Sequence, residues 1–330
     1  MGRGTFAIIR PINGEVLKKA IKVLLVLLAL LAATLYIVTP EKKVLSGKAE
    51  VTVTTFALYD IARHLLDGGA EVQMLIPFGR DVHTFEPTPR DMIRVQKSKL
   101  FLYSGAGLEP WTAPFDAYGN AVDMSGYVHL RKGGHSHHHH DGEAESHDDD
   151  GQGEERANDP HYWLDIDNMI LLTEAMEKRV QKAFPAIDPK TLEMRMDEYI
   201  NRLKTLDGLY KKRLAQCRLD TIVVSHNAFG YLGARYGFHV ASVSGLSPDT
   251  MPDAKTMAEL SDLVKHEGIK TVFYESFVSD KLADALARET GVRVDVLQPL
   301  ANITAKEIGA DYFRLMNANL LKLYDAMECE

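Results

Sequence analysis

Residues 188–214 read DPKTLEMRMDEYINRLKTLDGLYKKRL. Within them Leu192, Met196, Tyr199, Leu203, Leu206, Tyr210 and Leu214 recur every three or four residues, which lays one apolar stripe along a helix of roughly thirty residues. Asp188 and Pro189 suit the N-cap and first turn of that helix. Such a length exceeds what a crossover between neighbouring strands needs. The stretch therefore predicts a strut between two lobes, with a long core-flanking helix as the bland alternative.

On either side the pattern alternates between strand and helix. Upstream, strands are expected at 51–56, 71–77, 99–104 and 122–124, with helices at 58–66, 89–96 and 166–184. Downstream, strands are expected at 221–225, 240–243, 271–274 and 292–297, with helices at 228–236, 253–266, 280–289 and 310–326. Gly237 and Gly291 fall where helix C-caps belong. Strands separated by helices imply parallel β-α-β units. The expected fold class is thus α/β, with two lobes, each a mainly parallel sheet flanked by helices, bridged by one long rigid helix. The expected boundaries are an N-terminal basic segment at 1–20, a signal or anchor helix at 21–38 and a stalk at 39–50. An N-terminal lobe at 51–187 carries a His/acid-rich loop at 133–158, and a linking helix at 188–218 leads to a C-terminal lobe at 219–330.

The net charge of −8 conceals an asymmetry. Residues 1–48 hold eight Lys/Arg against two acids, +6, so the remainder carries −14. An acidic body without a basic, aromatic-interleaved stripe excludes nucleic acid as a partner and suits a cationic ligand. Lys18, Lys19 and Lys22 precede an uncharged run that reaches Val38, which as a helix is about 27 Å long, enough for a thin hydrocarbon layer. The charge bias favours a cytoplasmic N-terminus and an exported body, so the segment is read as an uncleaved anchor, with a signal peptide as the alternative. No Cys near its end would accept a lipid. Two cysteines, Cys217 and Cys329, are too few for a disulfide scaffold; export permits a bridge between them, and two separate thiols remain open as well.

The chemistry concentrates in histidines. His135, His137, His138, His139, His140 and His147 are interleaved with acids, a tract too polar to bury and expected to be a solvated loop. Imidazoles and carboxylates are the ligands of borderline divalent ions, so the tract is read as a set of weak, exchanging accessory sites. Three further histidines stand at element boundaries. His83 follows the strand at 71–77, His161 ends the acidic loop, and His226 follows the strand at 221–225. Ligands in parallel sheets collect at the carboxyl ends of strands, so the three are able to converge. Alone, each would be read as structural or exposed; together with the tract and the expected export, they point to a metal site. His64, His129, His239 and His266 keep the bland reading.

Four stretches carry a resemblance. They are His83-Thr84-Phe85-Glu86-Pro87-Thr88-Pro89, Asp159-Pro160-His161-Tyr162-Trp163-Leu164-Asp165, Ser225-His226-Asn227-Ala228-Phe229-Gly230-Tyr231-Leu232 and Phe273-Tyr274-Glu275-Ser276. In this order and at these separations the chain, over residues 49–330, resembles the metal-specific solute-binding proteins of ABC importers, the receptors for zinc and manganese. The resemblance implies two α/β lobes on one long helix. It implies that His83 and His161 from the first lobe and His226 from the second hold one ion, and that the receptor, expected to be monomeric, delivers it to a membrane permease. Many members have a fourth, carboxylate ligand after the last core strand; the matching position here is Ala301. Glu275 is implied to orient an imidazole, with direct ligation as the alternative. Three neutral imidazoles without a carboxylate favour Zn2+ over Mn2+, which prefers harder ligands.

Two other functions compete with this one. A three-histidine zinc hydrolase would need a general base, for which Glu275 and Glu86 are the candidates, but the sequence has no His-Glu-x-x-His helix and no nucleophile elbow. A zinc-buffering or adhesin-type surface protein is the alternative that the same fold would serve. The expectation is a non-catalytic extracytoplasmic receptor.

Overall fold

The computed structural model of the chain describes residues 50–133, 157–247, 253–275 and 281–330. The anchor expected at 21–38 and the histidines of the acidic tract lie outside them. Among the described residues, no helix is long and apolar enough to cross a membrane.

The first lobe runs β1 (Val51–Val53), α1 (Phe56–Leu66), β2 (Val72–Met74), α2 (Pro89–Lys97), β3 (Leu100–Tyr103), a 3-10 segment (Pro110–Ala117) and β4 (Ala121–Asp123). After two further 3-10 turns, Met124–Tyr127 and Tyr162–Leu164, come α3 (Ile166–Ala183) and the linking helix α4 (Pro189–Arg213). The second lobe runs β5 (Thr221–His226), α5 (Gly230–Tyr236), β6 (His239–Ser244), α6 (Ala254–Glu267), β7 (Thr271–Tyr274), α7 (Lys281–Thr290), β8 (Arg293–Val296) and α8 (Tyr312–Ala326).

Both sheets are four-stranded and wholly parallel, ordered β2-β1-β3-β4 and β6-β5-β7-β8. The two lobes thus repeat one winding, and in each the strand order reverses between the first and third strands. That reversal opens a crevice at the carboxyl ends of those strands. β1, β3 and β5 are buried throughout, as strands covered by helices on both faces must be. The apolar core is continuous from Val51 and Leu102 in the first lobe to Val223 and Val272 in the second.

The apolar stripe of α4 is seated as its period requires. Leu192, Tyr199, Leu203, Leu206 and Tyr210 are buried, and Met196 is half-buried. Its first half is fastened to the first lobe: the Tyr199 hydroxyl donates to Asp60 at 2.7 Å, and Arg195 donates to the carbonyls of Leu65 and Leu66 at the end of α1. Its second half serves the second lobe, where Tyr210 stacks on Tyr236 at 4.8 Å and donates to the Met316 carbonyl at 2.7 Å. The 25-residue helix is about 37 Å long, enough to flank both sheets. It ends at Arg213, earlier than the stripe alone predicts, because the next backbone groups are taken by the C-terminus. Arg218 N donates to Glu328 O, Leu219 N to Met327 O and Glu330 N to Gln216 O. Cys217 and Cys329 lie side by side on this ladder and form a disulfide.

The strands are shorter than the apolar runs predict. Thr54 and Thr55 leave β1 because their hydroxyls bind Ser104: Thr54 Oγ1 accepts from Ser104 N, and Thr55 Oγ1 lies 2.9 Å from Ser104 Oγ. Gly237 and Gly291 do end helices, at φ of +79° and +76°. Gly105, at φ +70° after β3, has no room for a side chain: a Cβ there would meet Asp123 Oδ1 at 2.0 Å.

Candidate metal centre

His226 is the last residue of β5, and Glu275 follows β7, so the two flank the strand-order reversal of the second sheet. His83 sits in the loop between β2 and α2. That loop ends sharply because Thr88 and Asp91 form a capping box with Pro89 in the first turn of α2. Asn302, fully buried in the second lobe, donates from its amide to the carbonyls of Pro77 and Arg80, both at 2.8 Å, and so fixes the course of the His83 loop. His161 precedes the 3-10 turn Tyr162–Leu164. The Tyr162 hydroxyl donates to the Ser104 carbonyl at the end of β3 (2.6 Å), and the Trp163 indole N–H donates to the Pro299 carbonyl of the second lobe (2.7 Å). Every histidine segment is therefore anchored by contacts far away in the chain.

The three imidazoles meet edge to edge. The Nε2 atoms of His161 and His83 are 3.3 Å apart, and those of His226 and His161 are 3.4 Å apart. Each residue of the trio offers one ligand atom within 4.8 Å of the others. His161 and His226 are 0% and 1% exposed, while His83 is half-buried.

Two carboxylates decide the tautomers. Asp159 Oδ1 lies 2.9 Å from His161 Nδ1, and Glu275 Oε1 contacts His226 Nδ1. A carboxylate beside Nδ1 favours the tautomer with its hydrogen on that nitrogen, which would leave Nε2 with the lone pair. Two lone pairs directed into the same small space repel unless a cation lies between them. Burial, and then the neighbouring His161 and His226 rings, pushes His83 down to about 2, so this imidazole stays neutral. The spacing is compatible with a shared metal ion. Nitrogens about 2.0–2.1 Å from a tetrahedral zinc are about 3.3–3.4 Å from one another.

The resemblance had pointed to Ala301 as the position where many relatives carry a carboxylate. Ala301 is buried, and its backbone carbonyl accepts from Phe56 N at 2.8 Å; its side chain offers no donor atom. Glu275 is engaged at Nδ1 of His226, on the far side of the ring from the converging Nε2 atoms, which is the geometry of an orienting group. Glu86, the other candidate base, is exposed. The remaining histidines stay apart from the centre. His64 packs at a tilt against Tyr199 between α1 and α4 (5.1 Å), His129 is bonded through its backbone to Asn168, and His239 and His266 are exposed. Asp159 and Asn302 were missed in the sequence. The Asp-Pro-His spacing was a usable signal for Asp159, whose Oδ1 also accepts His161 N at 3.0 Å; nothing local marked Asn302.

Fold and cluster together define a class: two-lobed α/β proteins, braced by one helix, that close a histidine cluster between the lobes. The chain belongs to the ZnuA family, described as zinc-uptake complex component A, periplasmic, whose pattern matches residues 51–326. It is 33% identical over 319 residues to the zinc-binding protein AdcA of Streptococcus pyogenes, covering 92% of this chain and 61% of that one. It therefore spans about three-fifths of the length of that relative. It is 31% identical to the high-affinity zinc uptake system protein ZnuA of Bacillus subtilis, covering 85% of this chain and 88% of that one. Among solved structures, the Zn(II)-bound ZnuA-like domain of Streptococcus pneumoniae AdcA superposes with a TM-score of 0.68 at 29% identity, covering 86% of this chain and all of that one.

Proposed function

We propose that the chain is an extracytoplasmic zinc receptor, which captures one Zn2+ on His83, His161 and His226 between its lobes and passes it to the permease of an ABC importer. The observation that carries this reading is the convergence of the His226 and His161 Nε2 atoms, 3.4 Å apart, with Asp159 and Glu275 each beside the opposite ring nitrogen. Such carboxylate–histidine pairs orient zinc ligands and raise their basicity. Zinc is preferred to manganese because the donors are all nitrogen and the Ala301 position supplies no carboxylate. Water, or a residue of the tract at 133–158, would complete the set.

The role is that of a receptor and not an enzyme. A hydrolase would need a free general base beside the zinc-bound water, and Glu275 is already committed to His226. Residues 21–38 would hold the body at the outer face of the membrane, and the tract at 133–158 would offer weaker sites nearby. The bracing helix and continuous core keep lobe motion small.

The test is competition calorimetry with zinc on the chain, on a form lacking residues 134–156, and on His161→Ala. One tight site that survives the deletion and vanishes with His161→Ala is expected. Binding that disappears with the deletion and ignores His161→Ala would replace this reading with a zinc-buffering surface protein. Zinc uptake by cells should also depend on an accompanying permease.

A further inference from the structure

α5 follows His226 in the second lobe, and both of its ends are bonded to the first-lobe segment that carries His161. At the start of α5 the Tyr231 hydroxyl donates to the Asp159 carbonyl at 3.0 Å and accepts from Arg131 N at 2.9 Å. At its end stands Arg235. The guanidinium reaches Asp165 Oδ1 at 3.0 Å and Asp167 Oδ2 at 2.6 Å through Nη1, Asp167 Oδ1 at 2.9 Å through Nη2, and Asp207 Oδ1 at 2.8 Å through Nε. Asp165 caps α3 and follows His161 after the single turn Tyr162–Leu164. Asp207 belongs to α4, where it also accepts from the Tyr236 hydroxyl and pairs with Lys211. One side chain, 11% exposed, thus joins the His161 segment, the linking helix and the helix that follows His226.

We propose that Arg235 is a positioning residue for metal binding, which sets the spacing of His161 against His226 by clamping the segment Asp165–Asp167 and α4 onto α5. The inference rests on the three-histidine reading of the centre. The two histidines come from different lobes, and their Nε2 atoms must stay at about the separation a tetrahedral ion demands. Asp165, Asp167 and Asp207 gather three negative charges around the guanidinium; without it they repel, and the His161 segment moves away from α5. A planar fork with five donors meets three carboxylates at once, which an ammonium group does not. An ordinary exposed ion pair contributes little. This one matters because both ligand-bearing segments end on it.

The experiment uses the full chain with zinc, and with Co2+ as a spectroscopic probe. It compares Arg235→Gln and Arg235→Lys with Arg195→Gln and His161→Ala. Arg195 is the matched control, because its guanidinium bonds α4 to Leu65, Leu66 and Asp67 of the first lobe and, among the described residues, to none of the second. Zinc affinity and dissociation rate are measured well below each variant's Tm. Both Arg235 variants are expected to bind zinc roughly 10–100-fold more weakly, as loss of a supporting contact around a metal typically does, with faster release and a changed cobalt absorption spectrum. Arg195→Gln is expected to lose Tm while keeping affinity and spectrum. Arg235 variants that match Arg195→Gln in affinity and spectrum would overturn the proposal. If Arg235→Gln does not fold, Arg235→Lys decides by the same comparison. Unchanged zinc affinity in His161→Ala would overturn the three-histidine reading instead, whatever Arg235 does.

Discussion

Replacing Glu275 by Gln tests how the centre chooses its tautomers. The side chain keeps its size and one carbonyl acceptor but loses its charge. A hydrogen bond to a charged partner contributes about 1.5–3 kcal/mol, against about 0.5–1.5 kcal/mol between neutral groups. The loss is thus about 1–1.5 kcal/mol, or roughly tenfold in zinc affinity. The amide must also present its oxygen to His226. If its NH2 faced Nδ1, the ring hydrogen would move to Nε2 and the imidazole would cease to be a ligand. Glu275→Ala should be worse, since it leaves the Nδ1–H of a residue only 1% exposed without an acceptor, and a loss approaching 100-fold is expected. The assay is competition for zinc against a chromophoric chelator at neutral pH, with folding checked by circular dichroism. If both variants stay within about twofold of the parent protein, the carboxylate does not orient His226, and the tautomer argument is refuted.

Three further outcomes are expected. His161→Ala and His226→Ala should each weaken zinc binding by more than the roughly tenfold loss set by an orienting carboxylate, and His83→Ala should do likewise; equal affinity in any of the three, by the same competition assay, removes that histidine from the site. Joint replacement of Cys217 and Cys329 by Ser opens a bridge between residues 112 apart, and should cost about 3–5 kcal/mol of unfolding free energy in urea while leaving zinc affinity intact. Glu109 gives a pH dependence. Its carboxylate is buried against the backbone N–H groups of Ser104 and Gly105, and burial pushes it up to about 7. The folded chain therefore holds a proton that the unfolded chain releases near its usual 4.5, so stability falls as pH rises from about 4.5 to about 7 and is level above that. Glu109→Gln, which stays neutral, should flatten that decline by about 3 kcal/mol in chelator-treated protein. An unchanged slope between pH 5 and 8 would show that Glu109 is not its source.

Much of the architecture was legible along the chain. The stripe from Leu192 to Leu214 marks a helix because the 3.6-residue period records which face is buried, and that record is local. The runs around Val223 and Val272 mark strands for the same reason. His83 and His226 stood out because they follow apolar runs, near the strand ends where polar groups of parallel sheets collect, and His161 because it closes the acidic tract and opens an apolar motif. Element ends were less legible. Thr54 and Thr55 leave their strand, and α4 stops at Arg213, because partners at Ser104 and Glu328 claim their surroundings.

The sequence by itself determined the alternation, the long helix and the residue types able to bind a metal, since each follows from neighbours within a few turns of chain. Only the tertiary structure decided that three Nε2 atoms face one another, that Asp159 and Glu275 hold the opposite nitrogens, that Asn302 pins the His83 loop and that Arg235 joins the two ligand-bearing segments. Those relations span up to 225 residues of chain. They are set by how two distinct sheets are packed on a shared helix and core, and local periodicity carries no information about distances across such an interface.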